Sequence, residues 1–239
     1  MKAWILTVCA MLSLCALPVG AVGYGQGKAC DAQNRPNDAV AFQEEYAASG
    51  AYALTDDPHR ILLTFDQGYE NGHTAEILDT LKEKHVRAIF FLTGDYAKRE
   101  KALVHRMIDE GHCLGNHGMK HRALPTLSPA ETEEEIMSLH RYVLDEYGYE
   151  MQYFRPPCGE YDAEALKTVQ SLGYRTVFWS AAHVDWLTDQ QPEPFHALER
   201  LSEMAHPGAI YLLHSVSETN AQILGDLIDN LRAAGYELK

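Results

Sequence analysis

The chain has 239 residues, 46% of them hydrophobic and 23% charged, which is the composition of a globular protein and not of a disordered or fibrous one. That length suits one sizeable domain or two small ones. The formal net charge is −14, with no cluster of Lys and Arg to receive phosphates, so nucleic acid is excluded as the expected partner.

The chain opens on Lys2, an apolar run over 5–17 and the small-residue stretch Pro18-Val19-Gly20-Ala21. This is the layout of a secretory signal peptide over residues 1–23, with cleavage after Ala21 or Gly23. The run is short for a membrane span of about 20 residues; an uncleaved anchor is the alternative. Either way the remainder is expected outside the cytoplasm, secreted or associated with the cell wall. Cys9 and Cys15 fall in this segment, and Leu14 is too large to precede a lipidated cysteine. The other three, Cys30, Cys113 and Cys158, allow at most one disulfide and fit no zinc ribbon.

Residues 24–59 read as an N-terminal extension, a tether with a short helix over 40–48. The main domain is expected from residue 60. Ile61-Leu62-Leu63-Thr64-Phe65 is a buried-strand run followed by Asp66 and a glycine turn, and Thr74 is expected to cap a helix over 75–84. A strand at 88–92, a helix at 101–110 and a strand at 111–115 follow. Ser128 caps, and Pro129 opens, a helix to about residue 147. Then come strand 153–155, helix 163–172, strand 175–180, helix 194–204, strand 209–214 and helix 220–234.

This alternation predicts an α/β fold, a distorted (β/α) barrel of about seven parallel strands with outer helices. In such barrels functional groups gather after the C-terminal ends of the strands. Asp66, His117, Arg155, Asp185 and His214 fall there, one per strand.

Asp66, directly after a hydrophobic strand, is placed to act as a base and reads equally as a cap of the following turn. His117 and His121, four apart, can share one face of a helical turn and bind one metal ion. Arg155-Pro156-Pro157-Cys158-Gly159-Glu160-Tyr161 is a rigid loop, either a wall that aims a backbone N–H at an oxyanion or a plain tight turn. Asp185 stands beside Trp186, an aromatic suited to a sugar face. His214 ends a buried strand and can donate a proton if Asp185 holds it. The other nine histidines are expected to be surface or structural, with His73 and His183 the two that lie near motif residues.

Together these five groups, in this order, resemble the polysaccharide deacetylases that share the NodB-homology domain, over nearly the whole chain from Ile61. More narrowly they are similar to the delta-lactam-biosynthetic de-N-acetylases, which act on muramic acid of spore-cortex peptidoglycan. The resemblance implies Asp66 as general base, His117 and His121 as ligands of a divalent metal, zinc by default, and His214 as proton donor. Arg155 and Asp185 would orient their neighbours, the Tyr161 backbone N–H would bind the oxyanion, and Pro157 and Trp186 would line the substrate site. The partner implied is a peptidoglycan glycan strand, with a monomeric protein and no stable protein partner. Two departures stand out: Gln67 replaces the usual metal-binding Asp, making a weak or indirect ligand, and Ala182 replaces the first Asp of the fourth motif. The alternatives are a catalytically impaired glycan-binding protein, or a deacetylase of chitin oligomers or acetylxylan.

Overall fold

The computed structural model describes residues 22–238; the expected signal segment lies outside the described residues except for its last two positions. In chain order the elements are β1 (Val22–Gly23), α1 (Asn37–Tyr46), β2 (Ala51–Tyr52), β3 (Leu62–Gln67), α2 (Thr74–Glu83), β4 (Ile89–Leu92), α3 (Gly94–Arg99), α4 (Lys101–Asp109) and β5 (Cys113–Asn116). They continue with α5 (Pro129–Tyr147), β6 (Tyr153–Phe154), β7 (Glu160–Tyr161), α6 (Ala163–Ser171), β8 (Arg175–Val177), β9 (Ala181–Ala182), α7 (Pro194–Glu203), β10 (Ile210–His214) and α8 (Glu218–Ala233).

Eight strands form one parallel sheet in the order β2-β8-β6-β5-β4-β3-β10-β9, curled into a partial barrel, and β1 pairs antiparallel with β7. The central strands β3, β4 and β10 are buried on both faces, which is why they read as continuous apolar runs. Side chains alternate between the faces. Leu63 and Phe65 of β3 pack under the helices with Ile77, Leu78 and Leu81 of α2. Leu62 joins Ile89, Phe91, Val177 and Ile210 in the barrel interior. Continued along β3, that alternation brings Asp66 to the inner face at the strand's C-terminal end, in register with His214 of β10.

Several elements depart from the sequence expectation. The eighth parallel strand, β2, comes from the segment read as an extension: it pairs with β8. Tyr24 and Phe42 of that segment pack on Phe178, so it is built into the sheet's end. Thr74 does not cap α2. It is the helix's first residue, His73 holds the N-cap position without a side-chain bond, and the Thr74 hydroxyl donates to Glu70. Ser128 does cap α5, in a reciprocal box with Glu131 and with Pro129 in the first turn. The short α3, capped by Thr93, was not foreseen. Helix α8 begins earlier than expected because Ser217 caps it. Cys30, Cys113 and Cys158 are all free thiols.

Gly115 of β5 marks where the barrel interior is tightest. A Cβ there would lie 2.4 Å from the Phe91 ring, and that ring carries the Arg155 guanidinium 4.2 Å from its centroid. Gly115→Ala is therefore expected to lower stability by about 1–3 kcal/mol through overpacking, measured as a shift in the urea unfolding midpoint with unchanged slope.

Candidate active site

The centre of the barrel mouth is an ion pair. Arg155, fully buried just after β6, donates through Nη1 to Asp66 Oδ1 at 2.7 Å. Its other donors are committed to the end of the neighbouring strand β8: Nε to the Val177 carbonyl at 3.0 Å and Nη2 to the Phe178 carbonyl at 3.1 Å. Burial by itself would push the Asp66 carboxyl up. The guanidinium, then the imidazoles of His117 and His214, outweigh it and hold Asp66 below its ordinary value. Asp66 is thus an ionised base of low proton affinity, one that can deprotonate only an acidified nucleophile.

His117 follows β5, and its Nδ1–H donates to the Arg155 carbonyl at 2.8 Å. That bond fixes the tautomer and leaves the Nε2 lone pair facing the cleft, 3.5 Å from Asp66 Oδ2. His121 Nε2 lies 3.2 Å from His117 Nε2. The pair does not share a helical turn, as the spacing had suggested. His121 sits in a loop with φ 55°, whose amides at Lys120 and Arg122 both donate to Glu135 Oε1, at 2.6 and 3.3 Å. Gly118 in that loop has φ 84°, and a Cβ there would come within 2.7 Å of the same carboxylate oxygen.

Burial lowers both imidazoles, His117 to about 4, so at neutral pH both are uncharged nitrogen donors. Two ligands of a tetrahedral zinc-type ion, each about 2.0–2.1 Å from it, stand about 3.3 Å apart. The observed 3.2 Å between the Nε2 atoms matches that separation, so the pair fits a divalent metal. Gln67 has a different environment. It is fully buried, its Nε2 donates to the Ser215 hydroxyl, and its Oε1 has no hydrogen-bond partner. Among the described residues no group of three His, Cys, Asp or Glu stands at ligand spacing. Protein donors to an ion here are the two imidazoles, with the Gln67 amide oxygen as an uncommitted neutral group.

On the other side of the mouth, Asp185 grips His214 at two points. Its Oδ1 accepts from the ring Nδ1–H at 2.7 Å and its Oδ2 from the backbone N–H at 2.8 Å. Burial would lower His214, but the Asp185 carboxylate, with Asp66 behind it, raises it above the ordinary imidazole value. Trp186, 49% exposed, stands edge-on to this ring at 5.6 Å between centroids.

Two contributors were not named from sequence. Asn220 on α8 bonds Asp185 and His214, and Ser215 bonds Gln67. The only trace of Asn220 was the helix-start pattern beginning at Ser217. His183 proves to belong to this group, donating to Asn220 at 3.0 Å. His73 is a helix-cap position, whereas His112, His140 and His206 bond to structural partners.

The loop after Arg155 is a tight turn with Cys158 and Gly159 both at positive φ, 56° and 67°. Pro157 is buried in it. The Tyr161 ring packs against Phe42 and Phe178, at 5.4 and 5.2 Å, and its backbone pairs with Val22 of β1. Tyr24 pins the turn, its N–H donating to the Gly159 carbonyl at 2.9 Å.

The polysaccharide deacetylase family model matches residues 53–177. The peptidoglycan-N-acetylmuramic acid deacetylase PdaA of Bacillus subtilis is 44% identical over 180 residues, covering 75% of this chain and 68% of that protein. The solved structure of PdaA, described as a family 4 carbohydrate esterase, matches with a TM-score of 0.86 at 38% identity, over 93% of this chain and 96% of that one. A pseudoenzyme of the same esterase family from Bacillus anthracis also matches, with a TM-score of 0.73 at 27% identity over 78% of this chain and 66% of that one.

Two outcomes are expected from this geometry. Arg155→Met strands the buried Asp66 charge and costs about 3–5 kcal/mol at neutral pH. Asp66 is depressed in the native fold, so its ion pair stabilises above the unfolded carboxylate value, about 3.9, and that stabilisation is lost as pH falls through the native value. The gap between variant and native protein in urea unfolding should therefore narrow below about pH 4. Separately, Gln67→Asp exchanges a neutral amide oxygen for a charged one, and calorimetric zinc titration should show affinity rising about tenfold or more.

Proposed function

This chain belongs to the polysaccharide deacetylase family, and we propose that within it the protein hydrolyses the N-acetyl group of muramic acid residues in peptidoglycan. It is a hydrolase that acts on an amide bond of a polysaccharide, of the PdaA type. The observation that carries the finer reading is the opposition at the barrel mouth. A carboxylate held below its ordinary value, Asp66, and an imidazole raised above its own by Asp185, His214, face one inner surface from adjacent strands. Groups whose environments push their proton affinities apart are the base and the acid of one reaction.

A divalent ion, zinc by default, held by His117 and His121 would polarise the acetamide carbonyl and acidify the attacking water. Asp66 takes a proton from that water, using Oδ2 because Arg155 holds Oδ1. The water oxygen bonds to the carbonyl carbon, and the backbone N–H of Tyr161 receives the resulting oxyanion once it is released from its pairing with Val22 of β1. His214 Nε2 then protonates the amine nitrogen as the carbon–nitrogen bond breaks, releasing acetate and a free amino sugar. Pro157 stiffens the oxyanion turn, and Trp186 walls the sugar beside His214. The N-terminal pattern supports an exported protein that meets the cell wall, and likeness to a muramic acid deacetylase supports a place in delta-lactam formation in the spore cortex.

The test is acetate release from peptide-trimmed peptidoglycan, with chitin oligomers and acetylxylan as competing substrates. Release should require added divalent metal, stop with chelator, and fall about 10²–10⁴-fold in His214→Ala and more steeply in Asp66→Asn. Activity needs His214 protonated, so the rate should decline on the alkaline side, as pH rises through a value above the ordinary imidazole, about 6.5. Glycan binding that persists with chelator, without acetate release, would instead assign the chain to the non-catalytic members, in keeping with the Gln67 amide and the B. anthracis pseudoenzyme.

A further inference from the structure

We propose that Asn220 is the positioning residue of the proton donor: it locks the Asp185 carboxylate and thereby sets the direction in which His214 presents Nε2. The proposal rests on the acid role given to His214 above.

Asn220 lies in the first turn of α8, 2% exposed, with its backbone N–H donating to the cap hydroxyl of Ser217 at 3.1 Å. Its side-chain amide makes three bonds, all within the acid group. Nδ2 donates to Asp185 Oδ2 at 2.5 Å and to the His214 carbonyl at 3.2 Å. Oδ1 accepts from His183 Nε2 at 3.0 Å. The assignment of oxygen and nitrogen follows from chemistry. A carboxylate and a carbonyl both accept, so the NH₂ must face them, and the remaining oxygen requires a proton on His183 Nε2.

The consequence is geometric. Among the described residues the His214 ring Nδ1 bonds Asp185 alone, and a carboxylate with one free oxygen can rotate about its terminal bond. Here both oxygens are occupied, Oδ1 by the ring and Oδ2 by the His214 backbone and by Asn220. Asn220 closes the loop by also holding the His214 carbonyl, so backbone, carboxylate and ring move as one body. The anchor is itself fixed. Ser217 donates to Gln191 Oε1 at 2.5 Å, and Gln191 Nε2 donates to the Asp185 carbonyl at 3.1 Å. A neutral amide does this without adding a second positive charge beside the imidazolium.

The test uses the full chain and Asn220→Ala, with Asn230→Ala as control, since Asn230 is an exposed residue of the same helix whose side chain bonds only Ser202. With one of the two bonds on Asp185 Oδ2 gone and the His214 carbonyl released, the ring is held less tightly, and kcat for acetate release should fall on the order of ten- to hundredfold with KM within about twofold. The downfield proton resonance of His214 Nδ1–H should broaden or vanish, whereas the Asn230 variant keeps both. Should Asn220→Ala fail to fold, Asn220→Ser gives the same reading. Its hydroxyl suits a helix start but cannot span both acceptors. A kcat within twofold of the native value with an unaltered Nδ1–H resonance would overturn the proposal. If the native chain releases no acetate, the deacetylase reading fails by itself, and the resonance still decides whether Asn220 orders His214.

Discussion

The buried pair of Arg155 and Asp66 is the constraint on which the rest of the mouth depends. One guanidinium joins the base to the end of β8 through the Val177 and Phe178 carbonyls, and lies over Phe91. The carbonyl of the same residue selects the tautomer of His117. Remove the side chain and a charge is left in the interior. Replace it by Lys, a point charge with no planar fork, and three fixed directions collapse to a flexible one. A pair of this kind contributes little net stability, because desolvation offsets the attraction. Its value lies in allowing only one arrangement of the groups around it.

Around that pair the site has two poles with opposite electrostatic treatment. On the side of β3 and β5, burial strips the imidazoles of their protons and Arg155 strips Asp66 of its own, so everything there donates electron pairs. On the side of β10, the Asp185 carboxylate raises the proton affinity of His214. The poles meet because Asp66 and His214 are register partners on neighbouring strands. The barrel's pairing thus sets the distance across which a proton is taken and given.

How much of this was legible follows from what each feature depends on. The central strands were readable because both their faces are buried, and the ionisable residue after each run was readable because the interior ends there. The order of five groups did the rest, since it resembles a known family. The conformation of His117 and His121 was not readable. Spacing of four suggests a helix, but Glu135, on the following helix α5, bends the loop by accepting its amides. The same applies to β2, whose two residues are a strand only because β8 is there to pair with, and to Asn220, an ordinary helix-start residue until α8 is laid against Asp185. Tertiary contact decides these, and no local pattern encodes it. Gln67 was seen as a departure, but its bond to Ser215 comes from strand pairing alone.

The pairing of β3 with β10 also governs how the molecule comes into being. Leu62 meets Ile210 across most of the chain's length, so the strand bearing the base has no second neighbour until the last part of the polypeptide is made. Until then one edge of β3 is unpaired, and an open apolar edge invites association with other chains. Long-range parallel pairing of this sort also closes slowly. The emerging chain holds its carboxylate and both imidazoles well before the acid exists, so assembly and chemical competence arrive in a single late step.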